Sequence, residues 1–156
     1  MITILESPYA APDRAGLDAN ESYLRECLRN SLERGEHPYA SHAYLPSVLN
    51  DGDPAQRKRG LQAGHAITRA LLSQGARWVF CIDRGVSNGM AHAFDELWTA
   101  CPDSPVLRSV AYGKEVELND AIVAHYEAVK AAAGENPVPS VALRVAASAV
   151  LAGWRP

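Results

Sequence analysis

The stretch RWVFCIDRGVSNGMAHAFDEL, from Arg77 to Leu97, decides the fold. It opens with an apolar run, Trp78 to Ile82, which has the length of a strand and no polar alternation. Such a run is typical of a strand that is buried on both faces of a parallel sheet. A short turn follows Asp83, and Ser87 stands where the apolar spacing of a helix begins, which predicts a helix N-cap. The unit is either an ordinary βα connection or one side of an anion-binding cradle.

Similar units lie on both sides of this stretch. Further strands are predicted at Ile2–Leu5, His37–His42 and Val106–Tyr112. A first helix is predicted to start at Asp18, and a second is capped by Asp53 with Pro54 at its first position. Because strands and helices alternate along the chain, we expect an α/β fold with helices on both faces of a parallel sheet of four or five strands.

The length of 156 residues predicts a single domain, 1–156. Its last part, 137–156, is expected to form a helical extension after a linker at 134–139. The extension carries an Ala- and Val-rich helix over about Ser140–Ala152, with few charges. A helix that is apolar on most sides must be buried, so it either packs on the sheet or forms a subunit contact.

Composition narrows the possible partners. The formal net charge of -3 and the absence of a Lys/Arg stripe argue against a nucleic-acid polymer. Three cysteines without CxxC spacing indicate packed, reduced thiols rather than a disulfide framework or a zinc site. No apolar run approaches the roughly 20 residues of a membrane span, and no signal peptide is recognisable, so we expect a cytoplasmic protein.

The common nucleotide and hydrolase motifs are missing. No P-loop, GxGxxG, HExxH or GxSxG occurs, and we expect neither a cofactor nor a metal. Polar and aromatic residues instead follow three predicted strands, whose carboxyl ends share one edge of the sheet. An aromatic ring can stack on a base, an acid can hold a sugar hydroxyl, and a capped helix start can hold a phosphate. The predicted ligand-binding residues are Ser7, Pro8, Tyr9, His42, Asp83, Ser87, Asn88, Gly89 and Met90.

Several blocks of the chain resemble one known group of proteins. The Ser-Pro-Tyr sequence after the first strand, together with HPYASHAYLP, LNDGDPAQRKRGLQAG and DRGVSNGM, is similar to the nucleoside 2-deoxyribosyltransferase-like superfamily. The likeness is strongest to an uncharacterised branch from phage and bacterial genomes, and it covers roughly Ile2 to Ala100. It implies a flavodoxin- or Rossmann-like three-layer sandwich that forms homo-oligomers with shared pockets.

The resemblance also implies an activity. Members of the superfamily exchange bases on deoxyribose or hydrolyse the N-glycosidic bond of nucleoside monophosphates. Tyr9 would then line the base or sugar site, Asp83 would approach the base or sugar, and Ser87–Gly89 would bind the sugar or phosphate end.

This chain departs from the superfamily at the expected nucleophile. A Glu is expected early in the helix after Gly89, but the corresponding positions hold Ala91 and Ala93. Asp95 and Glu96 follow about one turn later and are the substitute candidates for catalysis, together with Asp83. The alternative interpretation of Asp95 and Glu96 is that they are charged surface residues without a catalytic role. Three functions stay open: N-glycosidic cleavage or transfer, binding of a nucleotide or an ADP-ribose-type ligand without turnover, and an assembly module with a vestigial rim.

Overall fold

The computed structural model describes residues 1–134 and 138–156. The strands are β1 (Ile2–Glu6), β2 (His37–Tyr39), β3 (Arg77–Cys81), β4 (Val106–Ser109) and β5 (Lys114–Glu117). The helices are α1 (Arg14–Glu33), α2 (Leu45–Val48), α3 (Pro54–Ser73), α4 (Asn88–Leu97), α5 (Leu118–Ala124), α6 (Tyr126–Ala133) and α7 (Pro139–Trp154). Single 3-10 turns cover Ser41–Ala43 and Trp98–Ala100.

The five strands form one sheet in the order β2-β1-β3-β4-β5. The pairs β1–β2, β1–β3 and β3–β4 are parallel, and β5 runs antiparallel to β4 at one edge. The predicted α/β three-layer sandwich is confirmed. The antiparallel edge strand was not foreseen in the sequence, where a single strand was expected over 106–112.

The central strand β3 supplies the core on both faces of the sheet. Trp78 and Phe80 point to one face and form an aromatic cluster with Phe94 of α4, with ring centroids 4.9 to 5.7 Å apart. Val79 and Cys81 point to the other face, against α1. This alternation explains why the apolar run is unbroken, since residues on both sides of the strand are buried.

Side-chain caps explain where the two longest helices, α1 and α3, begin. Asp53 caps α3 as predicted, because its side chain accepts hydrogen bonds from the backbone N–H groups of Ala55 and Gln56. The first helix begins at Arg14, before the predicted start at Asp18, because the Asp13 carboxylate accepts a hydrogen bond from the Gly16 N–H at 2.7 Å.

The C-terminal helix α7 packs against the main core. Its residues Leu143, Ala146 and Ala147 are buried among side chains of the sheet, α4 and α5. The helix therefore packs into the core that the sheet shares with α4 and α5, and its main neighbours are α4, α5 and α6. Residues 135–137 of the predicted linker lie outside the described residues. Within the described ranges, no helix combines the length and apolar content that a membrane span needs.

A buried ion network joins β4 to the chain just before β2. The Arg108 guanidinium, almost wholly buried, donates to Glu36 at 2.6 and 2.9 Å and to Glu115 at 3.1 Å. Arg77 donates to the same two carboxylates. These hydrogen bonds lower the pKa of Glu36 to about 2 against the opposing effect of its burial.

Candidate functional site

A cleft with a volume of about 370 Å³ lies at the carboxyl ends of β1, β2 and β3. The segment 41–49 and helix α3 form one wall, and the start of α4 forms another. The predicted ligand-binding residues that line it are Ser7, Tyr9, His42, Ser87, Asn88, Gly89 and Met90. The segments that follow β1, β2 and β3 therefore meet in one cleft, as predicted.

Glu6, the last residue of β1, lines this cleft and was not predicted from the sequence. Its carboxylate accepts one hydrogen bond, from the Trp78 indole N–H at 3.4 Å. Burial raises the pKa of Glu6 to about 7, and the indole hydrogen bond offsets only part of this effect. A carboxyl group with a pKa near neutrality in a cleft is typical of a catalytic acid or base.

Ser7 and His42 form a hydrogen-bonded pair beside Glu6. The Ser7 Oγ and His42 Nε2 atoms are 2.9 Å apart, and Ser7 is buried. Burial lowers the pKa of His42 to about 4, so the ring is neutral at pH 7. The Tyr9 ring meets His42 edge-on, with centroids 6.1 Å apart. The three side chains can offer hydrogen bonds and an aromatic surface, without a full charge, to a ligand.

Close packing against glycine holds His42 in place. Segment 41–49 lies against α3 at Gly60 and Gly64. A Cβ atom added at Gly64 would lie 3.1 Å from both Cβ and Oγ of Ser41, the residue before His42. A side chain at Gly64 would require Ser41 to shift by a few tenths of an ångström, so Gly64 of α3 helps to set the position of His42.

The start of α4 is fixed from two directions. Ser87 is its N-cap, as predicted, and accepts a hydrogen bond from the Met90 N–H at 3.3 Å. Arg144 of α7 donates to the carbonyl oxygens of Val86 and Ser87 and to Asn88 Oδ1. The C-terminal third of the chain thus holds one wall of the cleft in position.

Asp83 and Pro8 do not line the cleft, in contrast to the prediction. The Asp83 carboxylate turns toward Tyr23 and the end of β4, where it accepts hydrogen bonds from the Tyr23 hydroxyl, the Ser109 hydroxyl and the Val110 N–H. Asp83 lies at the predicted edge of the sheet, but it lines a different cavity. Pro8 is buried next to the cleft.

Asp95 and Glu96, the candidate nucleophiles, also lie outside the cleft. Both Asp95 carboxylate oxygens accept hydrogen bonds from Ser140, one from its N–H at 2.8 Å and one from its hydroxyl at 2.7 Å. Asp95 therefore ties α4 to the start of α7. Glu96 is exposed and lies on the side of α4 that faces α3, where Arg69 donates a hydrogen bond to its backbone carbonyl. The catalytic role predicted for these two residues has no geometric support.

The remaining wall of the cleft contains residues that the sequence reasoning did not select. Leu45, Leu49 and Leu61 give it an apolar side, and Asp51 and Arg57 form an exposed ion pair at its rim with a 3.4 Å separation. His65 and Thr68 of α3 complete this side. Among the described residues, no group of three or more His, Cys, Asp or Glu side chains is arranged to hold a metal ion.

The fold and the cleft define a class: a Rossmann-like α/β sandwich with a ligand-sized cleft at the carboxyl ends of its parallel strands. The model of one family, described as a domain of unknown function (DUF7768), matches residues 1–100. The chain belongs to this family. The match includes Glu6, His42 and Ser87 and ends before α7. No curated protein and no solved structure matches the chain.

Proposed function

We propose that the protein cleaves the N-glycosidic bond of a nucleoside or nucleotide held in the cleft, with Glu6 as general acid and base. The observation that carries this proposal is the Glu6 carboxyl, which lines the cleft and has a pKa of about 7. A group with such a pKa is protonated in about half of the molecules at pH 7. It can therefore donate a proton and, once ionised, accept one.

The shape and lining of the cleft suit a nucleoside. A volume of about 370 Å³ is in the usual range for small-molecule pockets, roughly 300 to 1,000 Å³. The apolar side at Leu45 and Leu61 and the Tyr9 ring can contact the flat faces of a base. Ser7 and His42 can bind sugar hydroxyls, because both carry neutral groups that donate and accept hydrogen bonds.

The proposed reaction needs a single carboxyl group. Protonated Glu6 donates its proton to the departing base as the bond between base nitrogen and anomeric carbon breaks. Water then adds to the anomeric carbon and returns a proton to the Glu6 carboxylate, so the products are the free base and the sugar, or the sugar phosphate when the substrate is a nucleotide. A covalent ester is not required, in contrast to the two-carboxylate mechanism that retaining glycosidases use. Asp51, the other carboxylate of the cleft, is exposed and paired with Arg57.

A second candidate function is binding of the same ligands without turnover. The positions of Asp95 and Glu96 favour it, because α4 supplies no carboxylate to the cleft. In this case protonated Glu6 would act only as a hydrogen-bond donor to the ligand. Binding to the native state would then raise the melting temperature with ligand concentration.

The test is base release by the purified protein from a panel of nucleosides and 5′-monophosphates, followed by chromatography. Glu6→Gln keeps the shape of the side chain and removes its acid–base function, so it should lower the rate by about 10² to 10⁴-fold. Glu96→Gln is the matched control, since Glu96 is exposed and outside the cleft; it should leave the rate unchanged.

Four outcomes separate the candidates. Base release that depends on Glu6 supports the enzyme. Base release that is equal in Glu6→Gln and wild type refutes the role of Glu6. No release from any compound, with ligand-dependent thermal stabilisation that is lost in His42→Ala, supports the binding protein. No release and no stabilisation across the panel contradict both functions.

A further inference from the structure

A second cavity of about 530 Å³ lies between the beginning of the β3–α4 connection and the C-terminal half of α7. It shares no lining residue with the cleft described above. Arg84, Arg144 and Arg155 line it, together with the apolar side chains Ala147 and Leu151. We call this cavity the arginine pocket.

The arginine pocket carries excess positive charge. Among the described residues, none of its three arginines forms an ion pair with a carboxylate. The hydrogen bonds of Arg144 go to neutral carbonyl and amide oxygens, which leave its charge uncompensated. Asp83 is the one acidic residue in the lining. With three guanidinium groups and one carboxylate, the lining has a formal charge of +2.

The Asp83 carboxylate is also already occupied. It accepts hydrogen bonds from the hydroxyl groups of Tyr23 and Ser109 and from the Val110 N–H, at 2.7 Å for Tyr23 and 2.9 Å for Val110. These donors come from α1 and from the end of β4, away from α7. The carboxylate is therefore held toward those donors, and neither Arg84 nor Arg155 is paired with it.

The local positive charge of the pocket contrasts with the formal net charge of -3 of the whole chain. Guanidinium groups that line one cavity repel each other unless an anion lies between them. Their planar forks of N–H donors match the geometry of phosphate oxygens, and such charge-assisted pairs are stronger than neutral hydrogen bonds. A concave cavity of this volume fits a small molecule, and the acidic net charge disfavours a nucleic-acid strand.

We propose that the arginine pocket binds a small phosphorylated molecule, with Arg84 and Arg155 as its phosphate ligands. Arg144 lines the same pocket and is held by the carbonyl oxygens of Val86 and Ser87, just before α4, so it contributes fixed charge. The proposal does not depend on the function of the cleft, because the two sites have separate linings. The proposal gives α7 a role in ligand binding, although this helix lies outside the part of the chain that the family model matches.

The test is isothermal titration calorimetry of the full chain with pyrophosphate as the probe, at constant ionic strength. Wild type should bind, and the double variant Arg84→Ala/Arg155→Ala should bind about 100-fold more weakly, from about tenfold for each charge-assisted hydrogen bond lost. The matched control is Arg29→Ala/Arg59→Ala. It removes the same charge from exposed arginines outside both cavities and should bind as wild type does.

A second double variant separates recognition from simple attraction. Arg84→Lys/Arg155→Lys keeps the charge and loses the forked donors, so the affinity should fall about tenfold. Absence of binding by the wild type would overturn the proposal. An equal loss in the Arg29→Ala/Arg59→Ala control would also overturn it, because the effect would then come from overall charge. Arg84 and Arg155 are exposed, and circular dichroism should show that both variants remain folded.

Discussion

Replacing Glu6 by Gln should make the protein more stable at alkaline pH and leave it unchanged at acidic pH. In the folded chain, burial raises the pKa of Glu6 from 4.5 to about 7. Below pH 4.5 the group is protonated in both the folded and unfolded states and contributes nothing. Between pH 4.5 and 7 the unfolded chain loses its proton first, so the free energy of unfolding falls as pH rises.

The size of this effect follows from the pKa. At about 1.4 kcal/mol for each pKa unit, an ionisable Glu6 costs the wild type about 3 kcal/mol of stability at pH 8. Glu6→Gln removes this cost. The difference in the free energy of unfolding between variant and wild type should therefore grow from near zero at pH 4 to about 3 kcal/mol at pH 8.

Urea denaturation followed by circular dichroism at pH 4, 6 and 8 measures this difference. Glu96→Gln serves as the control, since it makes the same Glu-to-Gln change at an exposed side chain outside the cleft. A Glu6→Gln difference that stays flat from pH 4 to pH 8 would refute the raised pKa and, with it, the acid–base role of Glu6.

Two further changes test the packing behind the site. Glu36→Gln removes the main partner of the buried Arg108 and should lower the free energy of unfolding by about 3 to 5 kcal/mol in urea, against under about 0.5 kcal/mol for the surface change Glu21→Gln. Because the pKa of Glu36 is lowered to about 2, the stability that its carboxylate contributes is full above pH 4.5 and declines as pH falls toward 2. A free energy of unfolding that is the same in Glu36→Gln and wild type would contradict this contribution. Gly64→Val should shift the NMR signals of the His42 ring and weaken ligand binding. Gly153→Val should do neither, because a Cβ atom added at Gly153 has no neighbouring atom within 4 Å.

The fold could be predicted where local signals agree with burial. The unbroken apolar run predicted β3 to within one residue at each end, and Asp53-Pro54 predicted the residue at which α3 begins. Strand β5 was missed because its sequence, Lys114–Glu117, is mostly charged and lies half exposed at the edge of the sheet. Such a segment cannot be told from a loop until its pairing with β4 is known.

The candidate site could be predicted in outline because parallel strands end at one edge of the sheet. That rule brought together Tyr9, His42 and Ser87. It could not show which way an edge side chain turns. Asp83 turns away because Tyr23, Ser109 and Val110 donate hydrogen bonds to it. These donors are distant in the sequence, so the residues around Asp83 do not reveal its orientation.

The surroundings of Glu6 and Asp95 could not be predicted either, because they depend on residues that are distant in the sequence. The special character of Glu6 arises from burial and from the Trp78 indole on the neighbouring strand, and nothing in the local sequence of β1 indicates either. The carboxylate of Asp95 is taken up by Ser140, 45 residues later in the chain. Its surroundings depend on the packing of α7, which no periodicity in α4 reveals.

The most direct test of the central claim is a map of backbone amide NMR shifts in ¹⁵N-labelled protein titrated with nucleosides and their 5′-monophosphates. If the cleft is the ligand site, the amides of Ser7, His42, Gly64 and Gly89 should shift together with one saturation curve, since they belong to three separate walls of that cavity. The account would be contradicted if none of the compounds moved these signals, or if the shifts were confined to residues outside the cleft.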